Sequence, residues 1–99
     1  MLDTLEHGDY AEHLNTKFRV AEVSEPLDLE LINVSDLKTG GSQEYFSLTF
    51  LGNKDKILPQ KLYDLEHEIL GRGLIFLVPV GESENGIEYE AVFNRLKID

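Results

Sequence analysis

Apolar and polar positions alternate along most of the chain, and the phase of that alternation sets the expected elements. From residue 17 the period is two. Phe18 and Val20, with Glu22, fall on one face, and Arg19, Ala21 and Val23 fall on the other. Ser24-Glu25-Pro26 reads as a turn. Leu27, Leu29 and Leu31 then alternate with Asp28 and Glu30, the pattern of a half-buried strand. At Leu31-Ile32 two apolar neighbours break the alternation and Val34 follows the new phase, which predicts a bulge or a barrel corner. Lys38-Thr39-Gly40-Gly41-Ser42 reads as a loop. Phe46, Leu48 and Phe50 alternate with Ser47, Thr49 and Leu51 as far as Gly52, and a polar connection holding Pro59 follows. Tyr63, Leu65 and His67 share one face of the next strand, with Leu62, Asp64 and Glu66 on the other. Gly71-Arg72-Gly73 reads as a hairpin turn into an apolar strand over residues 74–80. Leu74, Phe76, Val78 and Val80 read as its core face. That leaves Ile75, Leu77 and, on an earlier strand, Leu51 opposite the core, either under a helix or as an apolar contact patch. Asn85-Gly86 marks a hairpin, and Ile87, Tyr89, Ala91 and Phe93 alternate with Glu88 and Glu90 in the last strand, which Leu96 and Ile98 extend.

Ahead of the strands the period is helical. Tyr10 and Leu14 lie four apart with Leu5 one turn earlier, Asp9 reads as the N-cap with Glu12 as its capping-box partner, and Asn15 reads as the stop. A helix this short has to pack on something. Parallel pairing would need crossover helices, and no later segment has a helical period. The expected fold is all-β and mainly antiparallel: about six strands in a small barrel or sandwich. A short N-terminal helix over one open end would bury Leu5, Tyr10 and Leu14, and residues 1–99 form a single domain.

Charge and composition then narrow the partners. Nineteen acidic and 9 basic residues give a net charge of −10. A phosphate backbone is bound through Lys and Arg that displace counterions, so no nucleic acid and no anionic membrane is expected as partner. No cysteine is present, which removes disulfides, thiolate metal sites and cysteine nucleophiles, and fits a reducing compartment. The opening residues lack a basic stretch followed by an apolar run, so no secretory leader is expected and the reading is cytoplasmic. The apolar run of residues 74–80 is far shorter than a membrane span.

Little catalytic chemistry is spelled out. His7, His13 and His67 lack the i, i+4 spacing of a helical metal site, and His67 falls on a core face. The carboxylate pairs Glu66/Glu68 and Glu88/Glu90 read as solvated faces, Asp55 lacks the pattern of a calcium loop, and no Ser or Thr nucleophile is marked. No catalytic residue, metal or cofactor is expected. The aromatic residues read mainly as core, while Tyr63 and Tyr89 carry polar tips suited to a rim.

Several short motifs together resemble a known family. They are Phe46-Ser47-Leu48-x-Phe50-x-Gly52 and Leu58-Pro59-Gln60-x-x-Tyr63-x-Leu65-Glu66-His67-x-x-Leu70-Gly71, followed by Phe76-Leu77-Val78-Pro79-Val80-Gly81 and Tyr89-Glu90-Ala91-Val92-Phe93-Asn94. The chain is similar over nearly its whole length to a family of small bacterial domains of unknown function. The resemblance implies a bacterial or phage-related source and carries no activity or catalytic residues. Pro59 would preset the loop before a strand, and Pro79, lacking an N–H, marks an edge or a bulge. Gln60, Tyr63, Glu66, His67, Tyr89 and Asn94 are the candidate recognition residues. The expected function is a non-enzymatic structural or protein-interaction module, with a phage-tail association suggested by analogy. Its partner would be a protein, a second copy of the chain included. The alternative is a small-ligand-binding or weakly hydrolytic β-barrel using Glu66 and His67 near its mouth.

Overall fold

The computed structural model describes residues 2–21 and 27–96. The turn expected at Ser24-Glu25-Pro26, the strand positions Glu22 and Val23, and the tail position Ile98 lie outside the described residues. A single 3-10 turn, Leu2–Thr4, precedes the helix α1, His7–Ala11. The strands are β1 Lys17–Val20, β2 Leu27–Val34, β3 Lys38–Gly40, β4 Gln43–Gly52, β5 Lys61–His67, β6 Gly71–Ser83 and β7 Gly86–Leu96. Every pairing is antiparallel. The order is β2-β1-β5-β6-β7-β4, and β2 also pairs with β4, which closes six strands into a barrel. β3 is the strand outside the barrel, and it adds to β4. No helix among the described residues is long and apolar enough to cross a membrane.

The alternating residues named from the sequence form the core. Phe18, Val20, Leu29, Leu31, Phe46, Leu48, Phe50, Leu65, Tyr89 and Ala91 are all buried in one cluster. Between Leu31 and Asn33 the register of β2 against β4 shifts, so the paired apolar residues there do mark a bulge. The longest ladder, β4 with β7, runs ten pairs from Gln43↔Leu96 to Gly52↔Ile87. At its hairpin end Gly86 is obligatory: φ is +147°, and an added Cβ would lie 2.1 Å from the Gly52 carbonyl oxygen.

β6 hands the chain from one side of the barrel to the other. Residues 71–77 pair with β5, and Val78 to Ser83 pair with β7. Pro79 sits at this switch, and the register shifts between Pro79 and Gly81. A residue with no N–H to give is tolerated where the ladder is interrupted.

Four local expectations are corrected. The helix starts earlier: Glu6 is the N-cap, and Asp9 is the third helical residue, whose carboxylate accepts the Glu6 N–H at 3.0 Å. Leu14 is consequently past the helix and 42% exposed, while Tyr10 and Leu2 are buried and Leu5 packs partly buried against them. Residues 38–40 are a strand, not a loop; Lys38↔Tyr45, Thr39↔Glu44 and Gly40↔Gln43 pair around a tight turn. The turn before β6 is Glu68-Ile69-Leu70, and Gly71 and Gly73 already belong to the strand, opposite His67 and Leu65. Finally, the phase of β6 is reversed. Ile75 and Leu77 are core, whereas Leu74, Phe76 and Val80 are exposed. Gly73 explains part of this choice: its missing Cβ leaves the space taken by the Leu2 backbone, which would lie 2.8 Å from a methyl group there.

Both ends of the barrel are filled. At one end Leu2 and Tyr10 cap the interior, and the Tyr10 hydroxyl donates to the Leu2 carbonyl. Arg95 Nη1 donates to the Leu5 carbonyl at 2.6 Å, while its guanidinium lies over the Phe46 and Phe93 rings. At the other end Leu58, 3% exposed, is drawn in by its N–H, which donates to the Tyr89 hydroxyl at 2.8 Å.

Candidate functional site

His67 ends β5, on the face it shares with Tyr63 and Leu65, and is 7% exposed. Its Nδ1 accepts the backbone N–H groups of Ile69 at 3.0 Å and Leu70 at 3.1 Å. A nitrogen that accepts in this way carries no proton, so the proton belongs on Nε2, which lies 2.9 Å from Thr16 Oγ1. The Thr16 hydroxyl donates onward to the His13 carbonyl at 2.6 Å. Each donor in this chain has one acceptor, and neither ring nitrogen keeps a free lone pair. The ring packs 4.6 Å from the Phe18 ring and edge-on to the His13 ring at 5.2 Å. Burial and, after it, the nearby His13 hold its pKa below the usual histidine range. The other two imidazoles are bonded as well. His7 Nε2 donates to the Ser35 carbonyl and His13 Nδ1 to the Asp9 carbonyl, each at 2.8 Å.

Outside His67 is a surface groove of about 450 Å³ lined by Lys17, Arg19, Asp28, Glu66, His67 and Glu68. Its two cations are already drawn toward carboxylates: Lys17 lies 3.3 Å from Glu30 and Arg19 3.9 Å from Asp28. Neither cation of the groove is therefore left unopposed to hold a small anion.

The remaining sequence candidates lie apart from this groove. Tyr63 and Tyr89 do come together, on the segment before β5: the Tyr63 hydroxyl donates to the Pro59 carbonyl and the Tyr89 hydroxyl accepts the Leu58 N–H. Both side chains are buried. Gln60, next in sequence, is exposed. Asn94 is exposed opposite Tyr45 in the β4–β7 ladder. Of the six candidates, only Glu66 and His67 line one depression, and Tyr63 and Tyr89 hold one loop.

The sequence reading passed over a feature on the outer wall. Leu62 and Phe76 are cross-strand partners on β5 and β6, exposed 48% each, and Leu74 beside them is 49% exposed. Val92 on β7 is 68% exposed. Next to the apolar residues Arg72 and Asp64 form a two-pronged ion pair, with Arg72 Nη2 2.7 Å from Asp64 Oδ2. That guanidinium lowers the Asp64 carboxyl below its usual range. On the far side Glu90 stands opposite Val78, and Glu88 opposite Gly81. Among the described residues neither glutamate has a cationic partner. An apolar patch was expected on Leu51, Ile75 and Leu77; Leu51 does face outward, half-buried, whereas Ile75 and Leu77 are core and the exposed residues of β6 are those of the opposite phase.

A family model described as a domain of unknown function (DUF6916) matches residues 5–93. No curated protein and no solved structure matches the chain.

Proposed function

The chain belongs to the DUF6916 family, a membership that brings no activity with it, and on that premise we propose a non-enzymatic protein-interaction module. The observation that carries the reading is the exposed apolar wall of Leu62, Leu74, Phe76 and Val92, on a barrel whose interior and both ends are filled by its own side chains. Exposed apolar surface of this kind marks contact sites. The cysteine-free composition supports a reducing, cytoplasmic setting for the partner.

The test is the double substitution Leu74→Ser with Phe76→Ser. Both side chains are half-exposed, so each change should alter stability by no more than about 0.5 kcal/mol. The thermal midpoint should stay put while a partner retained by the wild-type chain from its native lysate is lost. A partner retained equally by both forms would sink the reading.

A second reading, a weak small-ligand site, draws support from the groove beside Glu66 and His67. There His67→Ala would abolish a ligand response at temperatures where the variant is still folded. A fall in melting temperature alone would count for the structural role of the ring.

A further inference from the structure

Two strand edges face one another at the helix end of the barrel without pairing. β6 is bonded to β5 over residues 71–77 and joins β7 only from Val78 to Ser83. β7 is bonded to β4 as far as Leu96 and joins β6 only up to Glu90. Residues 71–77 and 91–96 are thus paired on one side each. Among the described residues, no other backbone hydrogen bond reaches either edge. Such edges are templates for a further strand, and globular proteins ordinarily cover or charge them.

The inner side of the wedge is occupied. Leu2 fills the space over Gly73, and Tyr10 packs 5.5 Å from the Phe93 ring. The outer side is open and apolar. Leu74 and Phe76 project from one edge and Val92 from the other, at the two-residue spacing of a pleated strand. Glu90 and Glu88 continue the outer face of β7 with no ion-pair partner among the described residues, whereas Arg72 on β6 is already engaged by Asp64.

We propose that the wedge between β6 and β7 receives an extended segment of a partner protein, added as a strand, apolar at alternate positions and carrying a Lys or Arg at the end that reaches the apex, beside Glu90. Main-chain bonds to the two edges would supply affinity, and alternate side chains would supply selectivity. Charge argues against a second copy as occupant. It would bring a chain of net charge −10 against two unpaired glutamates. The inference rests on the interaction-module reading and specifies the partner's chemistry.

The probe is a short synthetic peptide alternating valine and lysine, titrated into the full isotope-labelled chain. Two control peptides are used, one alternating valine and glutamate, the other with the same valines and lysines grouped in blocks. The expected result is binding of the first peptide alone. Chemical-shift changes and slowed amide exchange should be confined to residues 71–77 and 91–96. Glu90→Lys, at a partly exposed position, should weaken that binding by about tenfold and favour the glutamate peptide. Equal binding of either control, or shifts centred elsewhere, overturns the proposal. So does a concentration-dependent dimer abolished by Val92→Lys, which would assign the wedge to a second copy. If the Leu74/Phe76 double variant loses a captured partner but no peptide engages the edges, the interaction reading stands and strand addition fails.

Discussion

His67 has no vacant site for a second proton, because Nδ1 takes two backbone N–H groups and Nε2 is given to Thr16. Its folded pKa is depressed by burial and by His13, with Glu68 opposing. The groove side adds Lys17, Arg19, Asp28 and Glu66. A depressed base stabilises the fold fully above its unfolded value of 6.5, and that stabilisation drains as pH falls from there through the folded value. The urea midpoint of the wild-type chain should therefore drop between about pH 7 and about pH 5, and His67→Leu should flatten the slope. An unchanged slope would mean that other groups carry it. Thr16→Val should cost about 1–3 kcal/mol by stranding the buried Nε2–H, and Tyr89→Phe a similar amount by stranding the Leu58 N–H. The ring's burial was legible in the sequence, because Tyr63, Leu65 and His67 share one phase. Its partner was not: Thr16 lies 51 residues away and nothing periodic connects the two.

β2 and β6 divide the legible from the illegible at the level of elements. In β2 a run of alternating leucines breaks once, at Leu31-Ile32, and the bulge follows from that break. β6 is apolar on both faces, so parity offers no guide; part of what turns one face inward is Gly73, whose bare backbone admits Leu2. The same glycine misled the placement of the turn, since it serves close approach and not chain reversal. β3 carries no apolar residue at all, and only pairing with β4 identifies it. The phase of β6 is directly testable. Leu77→Ala should destabilise the fold by about 2–5 kcal/mol, as expected of a filled core site. Leu62→Ser on the outer wall should stay within about 0.5 kcal/mol. Equal losses in chemical denaturation would return Leu62 to the core. Gly73→Ala should cost about 1–3 kcal/mol through forced displacement of Leu2, and faster amide exchange in residues 2–11 should accompany it.

At the scale of the whole molecule, the barrel is closed by a segment that belongs to none of its strands. The N-terminal residues seal the end where β6 and β7 part, and they are tied down by the Tyr10 hydroxyl, by Arg95 and by packing on Phe46 and Phe93. If the tie holds the end shut, the buried phenol has to stay neutral. Burial pushes the Tyr10 pKa up to about 12 from 10.0, with Arg95 opposing and Asp3 reinforcing. A raised acid stabilises the folded state fully below its unfolded value. That stabilisation is lost as pH climbs from 10 through 12, so the chain should open from the alkaline side at this end first. Ultraviolet titration should show the Tyr10 phenol ionising near pH 12, in step with loss of amide protection in residues 2–11. Tyr10→Phe should remove that late step. Ionisation near pH 10 with the segment still protected would show that the phenol is wet and that the end is held by Arg95 and apolar packing alone. The strand-addition wedge lies directly outside this seal, so the same experiment measures how firmly its inner wall is held before any partner arrives.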